Sequence, residues 1–479
     1  MKKLAATRLW PVFVVTSLGS FLVSLDLSIV NVAFPSLERA FAGTPRADLA
    51  WVVTSYSIVF GSLLVIGGRT GDRFGLKRVF FAGLFGFLFG SALCGLAPTV
   101  GLLIAGRVLQ GAGAAFLLPA SVGLLLAAMP ASRRSQTVAL WGGVGALAVA
   151  TGPSLGSLLV AGPGWRWAFY VNVPVGLAAY VWGRKVLPDP AADGGKARGA
   201  SPDYLGAGLL AIAVGAISYA ITELGDGVGF SRGVVLALLL SPLMAATFIR
   251  RSASHPAPVL DLRLFRARSF SVANLATFAY AMAFFAMLLE NILFLTEIWH
   301  YPIQQAGLAV TPGPLVVASV SGFAGRAAVR RGFRSVLVPG SACFAAGLYW
   351  FATQVGTEPA FLAEWLPGTL LVGLGIGLTF PVLSAAAVSS LPADRFGVGS
   401  AVNQTARQVG GAIGIAIMVA ILGEPDTQAA AMIAFQNAWL YAAAMALTSG
   451  CVALFLGERQ AALSLVPAPA PHIAGSPQA

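Results

Sequence analysis

The sequence predicts an all-α polytopic membrane protein: fourteen transmembrane helices forming two pseudo-symmetric six-helix bundles with a two-helix insert between them. Three observations carry this. Of 479 residues, 57% are hydrophobic and only 10% charged, against about 25% charged in an ordinary soluble domain. The apolar residues gather in runs near the roughly 20 residues that a helix needs to cross a bilayer. Finally, two stretches of the first half recur in the same order in the second, as in carriers built from internal repeats.

In chain order the runs cover residues 10–33, 50–68, 79–97, 101–129, 136–160, 166–183 and 204–222, then 232–249, 270–296, 304–325, 335–353, 361–389, 399–422 and 435–456. The longest imply tilt or an interfacial turn. Fourteen crossings put both termini on one side. Of the 30 Lys and Arg residues, 24 lie in the termini and even-numbered connections; Arg39, Arg46, Arg166 and Arg232 lie in odd-numbered ones, and Arg107 and Arg407 lie within spans. The positive-inside bias then places both termini in the cytoplasm, with the chain in the cell membrane. The net charge of +12 is thus a loop property, and no nucleic-acid partner is expected. Lys2, Lys3 and Arg8 imitate the start of a secretory signal, but the run that follows is longer than an h-region and carries Asp26 and Asn31, so it is expected to be retained.

The expected division is a first bundle over 1–186, then linker, insert and cytoplasmic connection over 187–269, a second bundle over 270–457 and a disordered tail over 458–479. The connection from Pro258 to Phe270 interleaves Leu and Phe with Arg263, Arg266 and Arg268, the pattern of an amphipathic segment lying on an anionic leaflet. No connection has room for a soluble catalytic domain. His255, His300 and His472 sit in connections or the tail, and Cys94, Cys343 and Cys451 lie within spans without metal-ligand spacing. No enzyme activity, metal or cofactor is therefore expected.

Asp26 stands near the middle of the first span, in LDLSIVNVAFP. Inserting an aspartate there costs about 2.5 to 3.5 kcal/mol, and such residues mark ion or proton pathways or pair with a partner. Arg107, inside the fourth span, is the expected counter-charge. Desolvation favours the neutral carboxyl and a nearby guanidinium the ionised one, so varying their separation would switch proton affinity; the alternative is a static pair joining two helices. Glu290, followed by Asn291, either faces the same cavity or lies wet near the outer surface. Arg407 with Gln404 and Gln408 is either cavity lining or interhelical hydrogen bonding.

The repeat sets GRTGDRFGLK (Gly68 to Lys77) against GRAAVRRGFR (Gly325 to Arg334), and GAGAAFLLP (Gly111 to Pro119) against GLGIGLTFP (Gly373 to Pro381). With LDLSIVNVAFP, GGRTGDRFGLKR, RVLQGAGAA, ATGPSLGSLL, WRWAFYVNVPVG and VNQTARQVGGAIG in this order, the chain resembles the major facilitator superfamily and, within it, the fourteen-span drug:proton antiporters. Ser157 stands where the helix 5 motif usually has a second Gly, and Val329 takes the second-half place of Asp72.

The resemblance implies a multidrug efflux antiporter, driven by the proton gradient, that exports small organic compounds, lipophilic or cationic, by alternating access. Asp26, Arg107 and Glu290 would couple protons. Asn31, Trp51, Tyr56, Trp141, Asn291, Asn403, Gln404 and Arg407 are candidates to line the cavity, while Trp165 and Trp167 suit the headgroup belt. Gly68, Asp72, Arg73, Gly75, Lys77 and Arg78 would form a cytoplasmic latch, Asp72 pairing with Arg73, Lys77 or Arg78. Gly152, Pro153 and Gly156 would kink helix 5 or let it pack closely, sealing the cavity. Expected partners are a small-molecule substrate, protons and membrane lipids, and the expected state is a monomer. Transport of a native metabolite, lipid or siderophore is the rival within transport; a channel or membrane receptor is the rival outside it.

Overall fold

The computed structural model describes residues 2–129, 134–188, 201–225, 229–389, 391 and 396–457; the expected tail and most of the expected linker lie outside these. Among the described residues the chain forms α1 (Lys2–Ala40), α2 (Arg46–Phe74), α3 (Leu76–Leu96), α4 (Val100–Ala128), α5 (Arg134–Ala161), α6 (Trp167–Tyr170), α7 (Asn172–Val186), α8 (Tyr204–Gly225) and α9 (Arg232–Ser254). The second half adds α10 (Arg268–Glu297), α11 (Ile303–Val310), α12 (Pro312–Arg331), α13 (Arg334–Gln354), α14 (Leu366–Ser389), α15 (Phe396–Leu422) and α16 (Gln428–Ala453).

Twelve helical segments are long and apolar enough to cross a membrane, and the bent pair within α5 makes a thirteenth. The expected count of fourteen is not established by helix length, because the sixth run is broken into α6 and α7 at Val171. Pro174 is the cause on sequence grounds: it has no N–H to bond the carbonyl of residue 170. The repeat is visible in backbone geometry. Gly75 (φ 97°) and Gly332 (φ 89°) end α2 and α12 at matching repeat positions, a conformation that residues with a Cβ rarely adopt.

Close helix contact depends on glycine. A Cβ at Gly113 would lie 2.2 Å from the Phe87 nitrogen and one at Gly83 2.6 Å from the Leu117 nitrogen, so α3 and α4 touch backbone to backbone. The repeat-related α13 and α14 do the same at Gly375, 2.4 Å from the Phe344 nitrogen. The two halves meet along α2 and α15, where Thr405 Oγ1 donates to the Gly61 carbonyl at 2.8 Å. The insert covers this seam: Val214 of α8 packs with Ile58 of α2 and Ala412 of α15. The 3₁₀ turn Leu262–Arg266 buries Leu264 against Phe270 and leaves Arg263 and Arg266 exposed.

At the face opposite the chain termini, several connections converge. Phe41 contacts Trp165 at 5.7 Å between ring centroids, Arg166 Nη2 donates to the Ala97 carbonyl at 3.3 Å, and Trp299 Nε1 donates to the Gly356 carbonyl at 2.9 Å. This distal face includes Trp165, which is buried against its neighbours, and Trp167, which is exposed. Gly113→Ala is expected to lower unfolding stability in detergent by about 1–3 kcal/mol through overpacking. Gly322→Ala, whose Cβ would meet nothing within 4 Å, should cause no loss; equal behaviour of the two would contradict the backbone contact.

Candidate functional site

Asp26 lies in the interior of the first half, among α1 to α7, and is fully buried, 0% exposed. Its Oδ2 accepts from Arg107 Nη1 at 2.6 Å. Its Oδ1 accepts from Gln110 Nε2 at 2.7 Å and Asn172 Nδ2 at 3.2 Å. Both amides also donate to Ser91 Oγ, at 2.7 and 2.9 Å. Arg107 further donates from Nη1 to Gln110 Oε1 at 2.7 Å and from Nε to the Val52 carbonyl at 2.8 Å, and its guanidinium lies 4.2 Å from the Tyr56 ring centroid. α1, α2, α3, α4 and α7 thus each contribute to one network. Arg107 and Gln110 are three residues apart on α4, so one helical face presents both.

Three donors converge on the two oxygens of Asp26. Charge-assisted bonds and a cation over an aromatic face offset the desolvation that burial imposes. One acceptor is spare: Asn172 Oδ1 has no hydrogen-bond partner among the described residues.

α5 bends by 42° around residue 150. Pro153 cannot bond the Val149 carbonyl, and Ser28 Oγ of α1 donates to that oxygen instead, at 3.2 Å. A Cβ at Gly152 would sit 2.4 Å from Ser28 Cβ, and one at Gly156 2.6 Å from Ile29 Cγ1, so both glycines admit α1. On its other side α5 meets the second half: a Cβ at Gly307 would lie 2.6 Å from the Pro153 carbonyl oxygen, and Ser154 and Thr311 share a 2.7 Å hydrogen bond. Ser157, the departure from the helix 5 motif, packs against Gly307 here.

The distal face carries a second charged cluster that sequence reasoning did not identify as a site. Arg46 bonds Glu38 of α1 through Nε at 2.8 Å and Glu297 of α10 through Nη2 at 2.6 Å. Its backbone N–H donates to Glu424, in the α15–α16 connection, at 3.3 Å. One arginine therefore joins the two halves at the end where α5 meets α11.

The remaining candidates disperse. Glu290 is buried, with neither oxygen hydrogen-bonded among the described residues, and it makes no bond to Asp26. Asn291 accepts from Trp439 Nε1 at 3.0 Å, and Asn403 donates to Asn274 and Thr277 at 3.2 and 2.9 Å, so both tie helices of the second half together. Asn31 bonds within its own helix, Nδ2 to the Leu27 carbonyl at 2.7 Å. Arg407 Nη2 donates to Gln404 Oε1, and the guanidinium lies 4.6 Å from the Phe380 centroid.

The three aromatic candidates are placed as follows. Tyr56 lies against Arg107 with 0% exposure. Trp51 packs on the cluster formed with the inserted α8, and Trp141 Nε1 bonds the Thr16 carbonyl at 3.2 Å. The pairing of Asp72 with Arg73, Lys77 or Arg78 is also not among the ion pairs of the described residues. The chain turns at Gly75, and Lys77 and Arg78 line a groove of about 520 Å³ with Phe81, Tyr180 and Arg184. Gly68 is in ordinary contact with Pro119, 3.7 Å from a built Cβ, and Arg73 lies 5.3 Å from the Phe74 ring. Gln110, Ser91 and Asn172 were missed as site residues, although the helix 4 motif contains Gln110 and the WRWAFYVNVPVG stretch contains Asn172.

The family model described as Major Facilitator Superfamily matches residues 16–415. Multidrug resistance protein Stp of Mycobacterium tuberculosis (strain ATCC 25618 / H37Rv) is 32% identical over 411 residues, covering 85% of this chain and 75% of that one. The tetracenomycin C resistance and export protein of Streptomyces glaucescens is 30% identical over 416 residues, covering 86% of this chain and 75% of its own. Among solved structures, an auto-inhibited POT family peptide transporter superposes with a TM-score of 0.66 at 18% identity, over 94% of this chain and 96% of that chain, a likeness of fold.

Arg107→Gln leaves a buried carboxylate without its cation and should cost about 3–5 kcal/mol of stability. Adding Asp26→Asn should recover part of that loss, so a double-mutant cycle on unfolding in detergent should show clear non-additivity. Additivity within about 0.5 kcal/mol would mean that the two charges are not coupled.

Proposed function

We propose that this chain, which belongs to the Major Facilitator Superfamily, exports small organic compounds in exchange for protons by alternating access between its two six-helix halves. The observation that carries the reading is the buried Asp26–Arg107 pair with its amide collar. An ionisable carboxyl inside apolar spans, held by a guanidinium and by neutral amides able to regroup, suits a proton carrier better than a structural tie. The names of the relatives, which speak of drug resistance and in one case of export, support the direction and the kind of cargo.

On this reading both termini face the cytoplasm and the distal face looks outward. Asp26 takes up a proton from outside as cargo leaves, and releases it inside as cargo binds. The protonated carboxyl needs an acceptor for its new hydroxyl, and a turn of the Asn172 amide about its last torsion offers the spare Oδ1. Losing its charge also loosens Asp26 from Arg107, freeing α1 against α4. α1 carries Ser28, bonded to the bent α5, and Glu38, bonded to Arg46, so that motion bears on the outer closure. Coupling follows if cargo and proton favour opposite arrangements of this element. Arg46 and the α5–α11 contact would form the outer gate, with the chain here closed at that gate.

The experiment is exchange in proteoliposomes carrying the wild-type chain and an imposed pH gradient, with fluorescent lipophilic compounds as cargo. Asp26→Asn is expected to abolish gradient-driven movement while eluting as a folded protein. Undiminished gradient-driven transport by that variant would remove Asp26 from the mechanism.

A further inference from the structure

We propose that Arg407 is a docking point for an anionic, or strongly hydrogen-bond-accepting, group of the transported compound, with Phe380 beside it to receive an adjoining aromatic ring. This rests on the export reading above and narrows its cargo, away from the cationic half of the lipophilic or cationic range that the sequence resemblance implied.

Two guanidinium groups lie within spans, and their surroundings differ. Arg107 is neutralised by Asp26 at 2.6 Å. Arg407 has the neutral Gln404 oxygen as its hydrogen-bond partner, and no carboxylate lies within 4.0 Å of it among the described ion pairs. Glu290 is not its counter-ion. Gly410 packs on Phe278 and Gly414 on Met282, a register that sets Arg407 level with residue 275, fifteen residues below Glu290 on α10. At 1.5 Å per residue that is about 20 Å along the helix.

The faces of α15 show where Arg407 points. Thr405 and Gln408 meet α2 at Gly61. Asn403, Gly410 and Gly414 meet α10. Arg407 lies on the face left over, partly accessible, over a Phe380 ring that is backed by Phe284 at 5.0 Å and Tyr280 at 6.2 Å. The neighbouring Gln408 amide is 1% exposed with neither its nitrogen nor its oxygen hydrogen-bonded among the described residues. Among the described residues α15 therefore presents an uncompensated cation and, on the adjacent face, an idle amide, with a braced aromatic ring of α14 under the cation. A charge at this depth faces a cavity or a partner, and a guanidinium fork matches a carboxylate or phenolate in two-point contact.

The test is equilibrium binding to the purified full chain in detergent of two probes with the same ring system, 1-pyrenecarboxylate and 1-pyrenemethylammonium. The wild type should bind the carboxylate more tightly. Arg407→Gln should weaken the carboxylate by about tenfold or more, the scale of one charge-assisted hydrogen bond, and leave the ammonium within about twofold. Arg407→Lys, which keeps the charge but loses the fork, should retain the preference at reduced affinity. A wild type without preference for the anion, or a folded Arg407→Gln chain that binds both probes unchanged or loses both equally, overturns the proposal. Because binding is read without a proton gradient, failure of proton-coupled export would leave the anion preference in place, and the two readings fail separately.

Discussion

The ion pair between Asp26 and Arg107 is the constraint on which the first half of the molecule depends. Two opposite charges withdrawn from water are tolerated only when their geometry is good and their remaining donors and acceptors are engaged. Here that requirement recruits Gln110, Ser91, Asn172 and the Val52 carbonyl, so five helices are placed by one carboxylate and its cation. Glycine backbones at the α3–α4 contact let those helices approach closely enough to present their polar groups to a common point. The same helix that carries Asp26 also carries Ser28, which holds the carbonyl freed by Pro153, and Glu38, which holds Arg46. One element therefore touches the charge pair, the bend in α5 and the closure of the distal face.

The two halves repeat in backbone and differ in chemistry. Gly75 and Gly332 end equivalent helices in the same unusual conformation, and glycines set the α3–α4 and α13–α14 contacts alike. Yet the first half compensates its interior charge, whereas in the second, among the described residues, Glu290 has no hydrogen-bond partner and Arg407 a neutral one. Pseudo-symmetric scaffolding with asymmetric polar content lets one half hold an ion tightly while the other keeps interior polar groups uncommitted.

Much of this was legible in the sequence because apolar runs leave charged residues conspicuous. Asp26 and Arg107 pair on sequence grounds alone, since a buried charge needs a partner and few lie inside spans. The neutral members of the network carried no such signal: Gln110, Ser91 and Asn172 cost little to insert, and nothing in one chain says which helix face they occupy. Trp51 and Tyr56 are no more specific as signals, since aromatic character suits a cavity wall, an inserted helix and a cation alike. The outer cluster was hidden by distance, because Arg46 and Glu297 lie 251 positions apart. The break at Val171 was hidden by composition, because hydropathy averages across a proline that interrupts the helix.

The central claim is that cargo binding and the charge on Asp26 are linked, and proton release measures that link directly. Saturating the purified chain with a transported compound in weakly buffered solution should release protons to a pH indicator, drawn from chains whose Asp26 is protonated before the compound binds. The Asp26→Asn chain, still binding that compound, should release none. Equal release from both chains, or none from the wild type while it binds, would contradict the account.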